Sequence, residues 1–93
     1  MQETYLTKIN AQIKKMDEEI VKLQKMAKEK GSQTEVELNK MLEKYQLNRK
    51  DLQDNMDKFR QTGKEAAKDV TAGMERALEE LKTAFNKARS RFQ

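Results

Sequence analysis

Apolar residues return along the first third of the chain at Leu6, Ile9, Ile13, Met16, Ile20, Leu23 and Ala27, with spacings that alternate between three and four. On an α-helix this alternation keeps every member on one face, and held over three heptads it is the pattern of knobs-into-holes packing. Leu6, Ile13, Ile20 and Ala27 take the a positions; Ile9, Met16 and Leu23 take the d positions. Between them lie Lys14, Lys15, Asp17, Glu18, Glu19 and Lys22. On this solvated face Glu18 and Lys22 are placed for an i,i+4 pair worth roughly 0.3 kcal/mol.

The stripe lapses over residues 28–35, which hold no large apolar side chain. Lys25, Lys28 and Lys30 suit the negative end of a helix dipole, and Gly31 can take a left-handed C′ conformation. Ser32 followed by Glu35 has the form of a capping box that starts a new helix. These signals predict a turn at Gly31 and Ser32. The competing reading is a continuous helix, because the step of four from Thr34 to Leu38 is a stutter that an unbroken helix absorbs.

A second stripe runs through Leu38, Met41, Tyr45, Asn48, Leu52, Asn55 and Phe59, again alternating three and four, with Leu42 and Met56 widening it. Asn48 and Asn55 fall on d-type positions, where a polar residue lowers stability but fixes register. Thr62, Gly63 and Glu65 repeat the stop-and-cap logic, with Thr62 as N-cap of a third helix and Glu65 reaching back to it. The last segment carries Ala66, Val70, Met74, Ala77, Leu78, Leu81, Ala84, Phe85, Ala88 and Phe92 in two adjacent rows, so it should bury a broader face than the first helix. Gly73 interrupts it at a cost of about 1 kcal/mol relative to Ala, and suits a close approach of a neighbouring helix.

The result is one all-α domain over residues 1–93 with three long helices, at about 2–30, 33–61 and 63–92. Equal lengths and short connections predict an antiparallel three-helix bundle, or helical coiled-coil hairpin. If Gly31 and Ser32 do not turn, residues 2–61 form one rod of roughly 90 Å. An antiparallel second copy then supplies in trans what the turn supplies in cis, giving a domain-swapped dimer.

Composition narrows function mostly by exclusion. The chain has no His, Cys, Trp or Pro, and its three glycines are isolated. Nucleophilic triads, His-based acid–base pairs and zinc sites therefore have no residues to build them, and no glycine-rich phosphate loop is present. The adjacent carboxylates Glu18/Glu19 and Glu79/Glu80 diverge on a helix. No enzyme activity, cofactor, metal or small-molecule substrate is expected. Charged residues make up 39% of the chain, but 20 basic and 16 acidic residues are interleaved and no block of five like charges exists. This disfavours nucleic-acid binding, although Lys82, Lys87, Arg89 and Arg91 gather near one end. The same cations suit a helix C-terminus. The 63–92 helix has the amphipathic form of a membrane-surface binder, against which Glu75, Glu79 and Glu80 stand. The six Met residues read first as core gap-fillers. With neither a signal-peptide pattern nor a membrane span, a cytoplasmic protein is the expectation.

Two stretches resemble a known family. Tyr5-Leu6-x-Lys8, followed by Ala11-Gln12-Ile13-Lys14-x-Met16-Asp17-x-Glu19-Ile20-x-Lys22-Leu23, is similar to the opening of small bacterial coiled-coil proteins, some of them described as stress-response proteins. The stretch from Ala72-Gly73-Met74-Glu75 through Glu80-Leu81-Lys82 and Ala84-Phe85 to Ser90-Arg91-Phe92 resembles that family's C-terminal signature. The resemblance implies a non-enzymatic structural protein. Together with the helix faces, it points to a homo-oligomer or a helical protein partner.

Overall fold

The computed structural model of the chain describes residues 2–62 and 67–92. It is an all-α, antiparallel three-helix bundle, with no strand among the described residues. Helix α1 spans Gln2–Lys30, α2 spans Ser32–Gln61 and α3 spans Ala67–Phe92. The chain reverses between α1 and α2, so each partner of α1 on α2 descends as α1 ascends: Tyr5 stacks on Phe59 at 5.8 Å between ring centroids, and Asp17 meets Tyr45 and Arg49. Helix α3 returns parallel to α1, placing Tyr5 beside Glu75 and Asn48 beside Glu80.

The core is one continuous thread of apolar side chains. Leu6, Ile9, Ile13, Met16, Ile20, Leu23 and Ala27 are buried from α1, and Leu38, Leu42, Tyr45, Leu52, Met56 and Phe59 from α2. Helix α3 adds Met74, Ala77, Leu81, Ala84, Phe85, Ala88 and Phe92. Tyr5, Met41, Val70 and Leu78 are partly buried against this thread. No polar or charged residue is buried among the described residues.

The structure moves the phase of α2. The expected alternation through Met41, Asn48 and Asn55 traces the edge of the buried face, not its centre. The central row is Leu38, Leu42, Tyr45, Leu52, Met56 and Phe59, while Asn48 and Asn55 are half-buried at the seam with α3. An asparagine at the seam keeps an amide edge in water, whereas the core would demand a partner for every donor and acceptor.

The turn between α1 and α2 is a single residue. Gly31 has φ 124° and ψ 169°, neither the left-handed helical C′ geometry nor a conformation open to L side chains. It is the N-cap of α2, which places Ser32 inside the helix, and no side chain caps that end. The Ser32–Glu35 capping box is therefore not formed. At the other end of α2, Thr62 is the C-cap with an extended backbone. Its N–H donates to the Lys58 carbonyl at 2.9 Å, and its hydroxyl donates to the same oxygen. Gly63 and the expected reach of Glu65 back to Thr62 lie outside the described residues.

Candidate functional site

Three kinds of feature remain once the core is accounted for: polar contacts that cross between helices, grooves along the seams, and apolar side chains that point away from the bundle. The best-defined polar contact centres on Tyr45. Its ring lies in the core row, which carries the phenol oxygen to the α1–α2 seam, where it donates to Asp17 Oδ1 at 2.8 Å. Arg49, one turn further along α2, grips the same carboxylate: its Nε donates to both oxygens at 3.2 Å and its second terminal nitrogen to Oδ2 at 2.9 Å. Burial, then the hydrogen bond to Asp17 and the negative charge of Asp17, push the Tyr45 phenol pKa well above its ordinary value of 10.0. The hydrogen bond to Asp17 raises Arg49 in turn. A weaker version occurs at the far end, where Tyr5 donates to Glu75 at 3.1 Å and desolvation, then Glu75, raises its pKa.

The α2–α3 seam is held differently. Asn48 Nδ2 donates to the Glu80 carbonyl at 3.3 Å, and Asn55 Nδ2 donates to Asp51 O within its own helix at 2.8 Å. The Asn55 amide oxygen lies where a Cβ on Gly73 would be only 3.0 Å away, so the glycine admits the asparagine. Gly73 faces Asn55 and Ala84 lines the α2–α3 seam, so small residues of α3 lie where these two helices approach most closely.

Of the expected stripe, Leu6, Ile9, Ile13, Met16, Ile20, Leu23, Leu38, Tyr45, Leu52, Phe59, Met74, Leu81, Phe85 and Phe92 are buried. Met41, Val70 and Leu78 sit at its margin. Lys22 pairs with Glu19 at 3.5 Å, one residue nearer than the expected Glu18. The basic cluster near the end of α3 is divided between faces. Lys82 and Arg89 edge the α1–α3 seam, Lys87 edges the α2–α3 seam, and Arg91 reaches Glu37 at 3.5 Å. No sequence signal announced the Asp17–Tyr45–Arg49 contact beyond the need of a core tyrosine for a hydroxyl partner.

The groove between α1 and α3 has an apolar floor of Met16 and Phe85, edged by Lys15, Glu19, Lys82 and Arg89, with a volume of about 430 Å³. On the outer faces Val21, Val36 and Leu47 are 49%, 53% and 69% exposed. Among the described residues no three acidic, His or Cys side chains are placed to hold a metal ion, and no helix is long and apolar enough to cross a membrane. Comparison with protein-family models, with curated proteins and with solved structures finds no match.

Proposed function

We propose that this chain is a non-enzymatic structural or interaction protein, which self-associates or scaffolds a helical partner through its helix faces. The observation that carries this reading is the α1–α3 groove. Over the buried Met16 and Phe85 its edge carries Lys15, Lys82 and Arg89 against Glu19, with the amides Gln12 and Asn86, a charge pattern that suits the acidic flank of another helix. The polar side chains best fixed by contacts, Asp17, Tyr45 and Arg49, are engaged with one another. The resemblance to small bacterial coiled-coil proteins supports a bacterial, cytoplasmic setting and a stress-related role.

The membrane-surface alternative draws less support, because Met74, Leu81, Phe85 and Phe92, the apolar face it needs, are buried within the bundle. The deciding experiment is crosslinking in the native host with the unaltered chain and with the double charge reversal Lys15→Glu and Lys82→Glu. Loss of a defined crosslinked species, with helical content unchanged, is the expected result. Crosslinks indifferent to both substitutions would remove the groove from the interaction. Vesicle flotation and a salt-dependent DNA shift should both be blank; steep salt-dependent retention of DNA would replace this reading with phosphate binding.

A further inference from the structure

A continuous α1–α2 helix would depart from the closed chain at one residue. The Gly31 N–H donates to the Ala27 carbonyl at 3.1 Å, and the Gly31 carbonyl accepts from Glu35 N–H at 3.2 Å. Helical hydrogen bonding therefore runs up to the glycine from both sides. Only the bonds from Ser32, Gln33 and Thr34 to Lys28, Glu29 and Lys30 are missing from an unbroken helix. No side-chain cap takes their place at the start of α2.

The stripes are also in phase across the break. Ala27, the last buried residue of α1, and Leu38, the first of α2, are eleven positions apart. In a continuous helix eleven residues bring the face back to within about 20° of its starting direction. An arbitrary spacing would point the two stripes in different directions. Here both would lie along one face of a rod of about 60 residues, roughly 90 Å long.

A rod cannot bury that face alone, because α3 covers only the α2 half. The contacts between α1 and α2 pair residues whose numbers sum to between 62 and 66, as in Asp17 with Tyr45, Tyr5 with Phe59 and Asp17 with Arg49. A second rod laid antiparallel with its two-fold near residue 32 recreates each of these pairs in trans. In that register Glu29 and Glu35 fall opposite each other at the crossing, with Lys28 and Lys30 on either side of Glu29.

From this we propose that Gly31 is a hinge through which the chain exchanges α1 with a second copy of itself, giving an antiparallel dimer built on continuous α1–α2 helices. The proposal rests on the self-association branch of the functional reading and names its partner, a second copy; the surface exchanged is the α1-facing side of α2 and α3, apart from the α1–α3 groove. Every cross-section of the dimer keeps three helices, and the core of the closed chain is conserved.

The test is light scattering across a concentration series on the chain, on Gly31→Ala, and on a variant with three glycines inserted after Gly31. Alanine at position 31 has open space, with nothing within 4 Å of its Cβ, so it acts on backbone conformation alone. It disfavours φ 124° and favours the helix, and should tighten the dimer dissociation constant at least tenfold. The insertion relaxes the turn and should leave a monomer at every concentration. A distance label pair at Lys14→Cys and Leu47→Cys, on chains diluted with unlabelled ones, separates exchange from simple docking. In the exchanged dimer the short intrachain distance lengthens to about 50 Å. A Gly31→Ala dimer that keeps the short distance overturns the exchange while leaving self-association standing. A Gly31→Ala chain that stays monomeric, or that unfolds without dimerising, overturns the hinge itself, and the groove variants then judge the functional reading independently.

Discussion

Tyr45 shows how one side chain joins core to surface in a bundle only three helices thick. Its ring occupies the core row and its hydroxyl emerges at the α1–α2 seam to meet Asp17, which Arg49 also holds. Tyr45→Phe keeps the ring and removes the hydrogen bond, so at neutral pH it should cost about 1 kcal/mol. The pH dependence has a definite sign. Because the folded phenol titrates above its ordinary value of 10.0, the folded state holds a proton that the unfolded state gives up first. The contribution is complete below about pH 10 and declines as pH rises towards the folded value, at up to about 1.4 kcal/mol per unit. Urea unfolding of both proteins at pH 7, 10 and 11 should therefore show the gap between them closing in the alkaline range. A gap that stays constant would mean that the phenol is not held protonated by its surroundings.

At the scale of the helix, periodicity made the elements legible but left their phase uncertain where two neighbouring residues both fit the spacing. Met41 with Leu42, and Asn55 with Met56, each allow two registers of α2. The physical discriminator was present: a row through Asn48 and Asn55 places amides in the core, whereas a row through Leu42 and Met56 places them at the seam. End signals were less reliable. Ser32 lies inside α2 because Gly31 turns the chain with a conformation that needs no cap from the following side chain. Gly73 illustrates an element-level compromise, since alanine there gains about 1 kcal/mol of helix propensity yet meets Asn55. Gly73→Ala alone should stabilise the protein by clearly less than that amount, and by nearly the full amount in an Asn55→Ala background. Equal gains in the two backgrounds, measured by a double-mutant cycle, would show that Asn55 yields freely.

The whole molecule measures 51 × 19 × 17 Å, with a radius of gyration of 15.2 Å. A compact chain of this length would have a radius near 12 Å, so the bundle is elongated and its core is a single thread of side chains. The number and lengths of the helices were readable because each stripe persists for the length of its helix. The choice between turn and rod was not, because a rod paired antiparallel with a second copy would keep the α1–α2 pairings in trans and would depart from the closed chain in the backbone at Gly31. The same geometry decides which forces hold the molecule together. The ion pairs Lys22–Glu19, Arg60–Asp57 and Arg91–Glu37 lie on the surface, and even the Asp17 and Arg49 side chains are about one-third exposed. Pairs of that kind contribute about 0–1 kcal/mol each and are screened by salt. Leu81 of α3, by contrast, is fully buried within the apolar thread. Truncating such a leucine removes its transfer free energy and leaves a cavity that a three-helix cross-section has few neighbours to fill, so Leu81→Ala should cost about 2–5 kcal/mol. Raising sodium chloride from 50 mM to 1 M should change the unfolding free energy of the unaltered protein by less than that single substitution does. If the salt effect on urea unfolding exceeded the Leu81→Ala effect, charge pairing would outweigh core burial in holding this bundle.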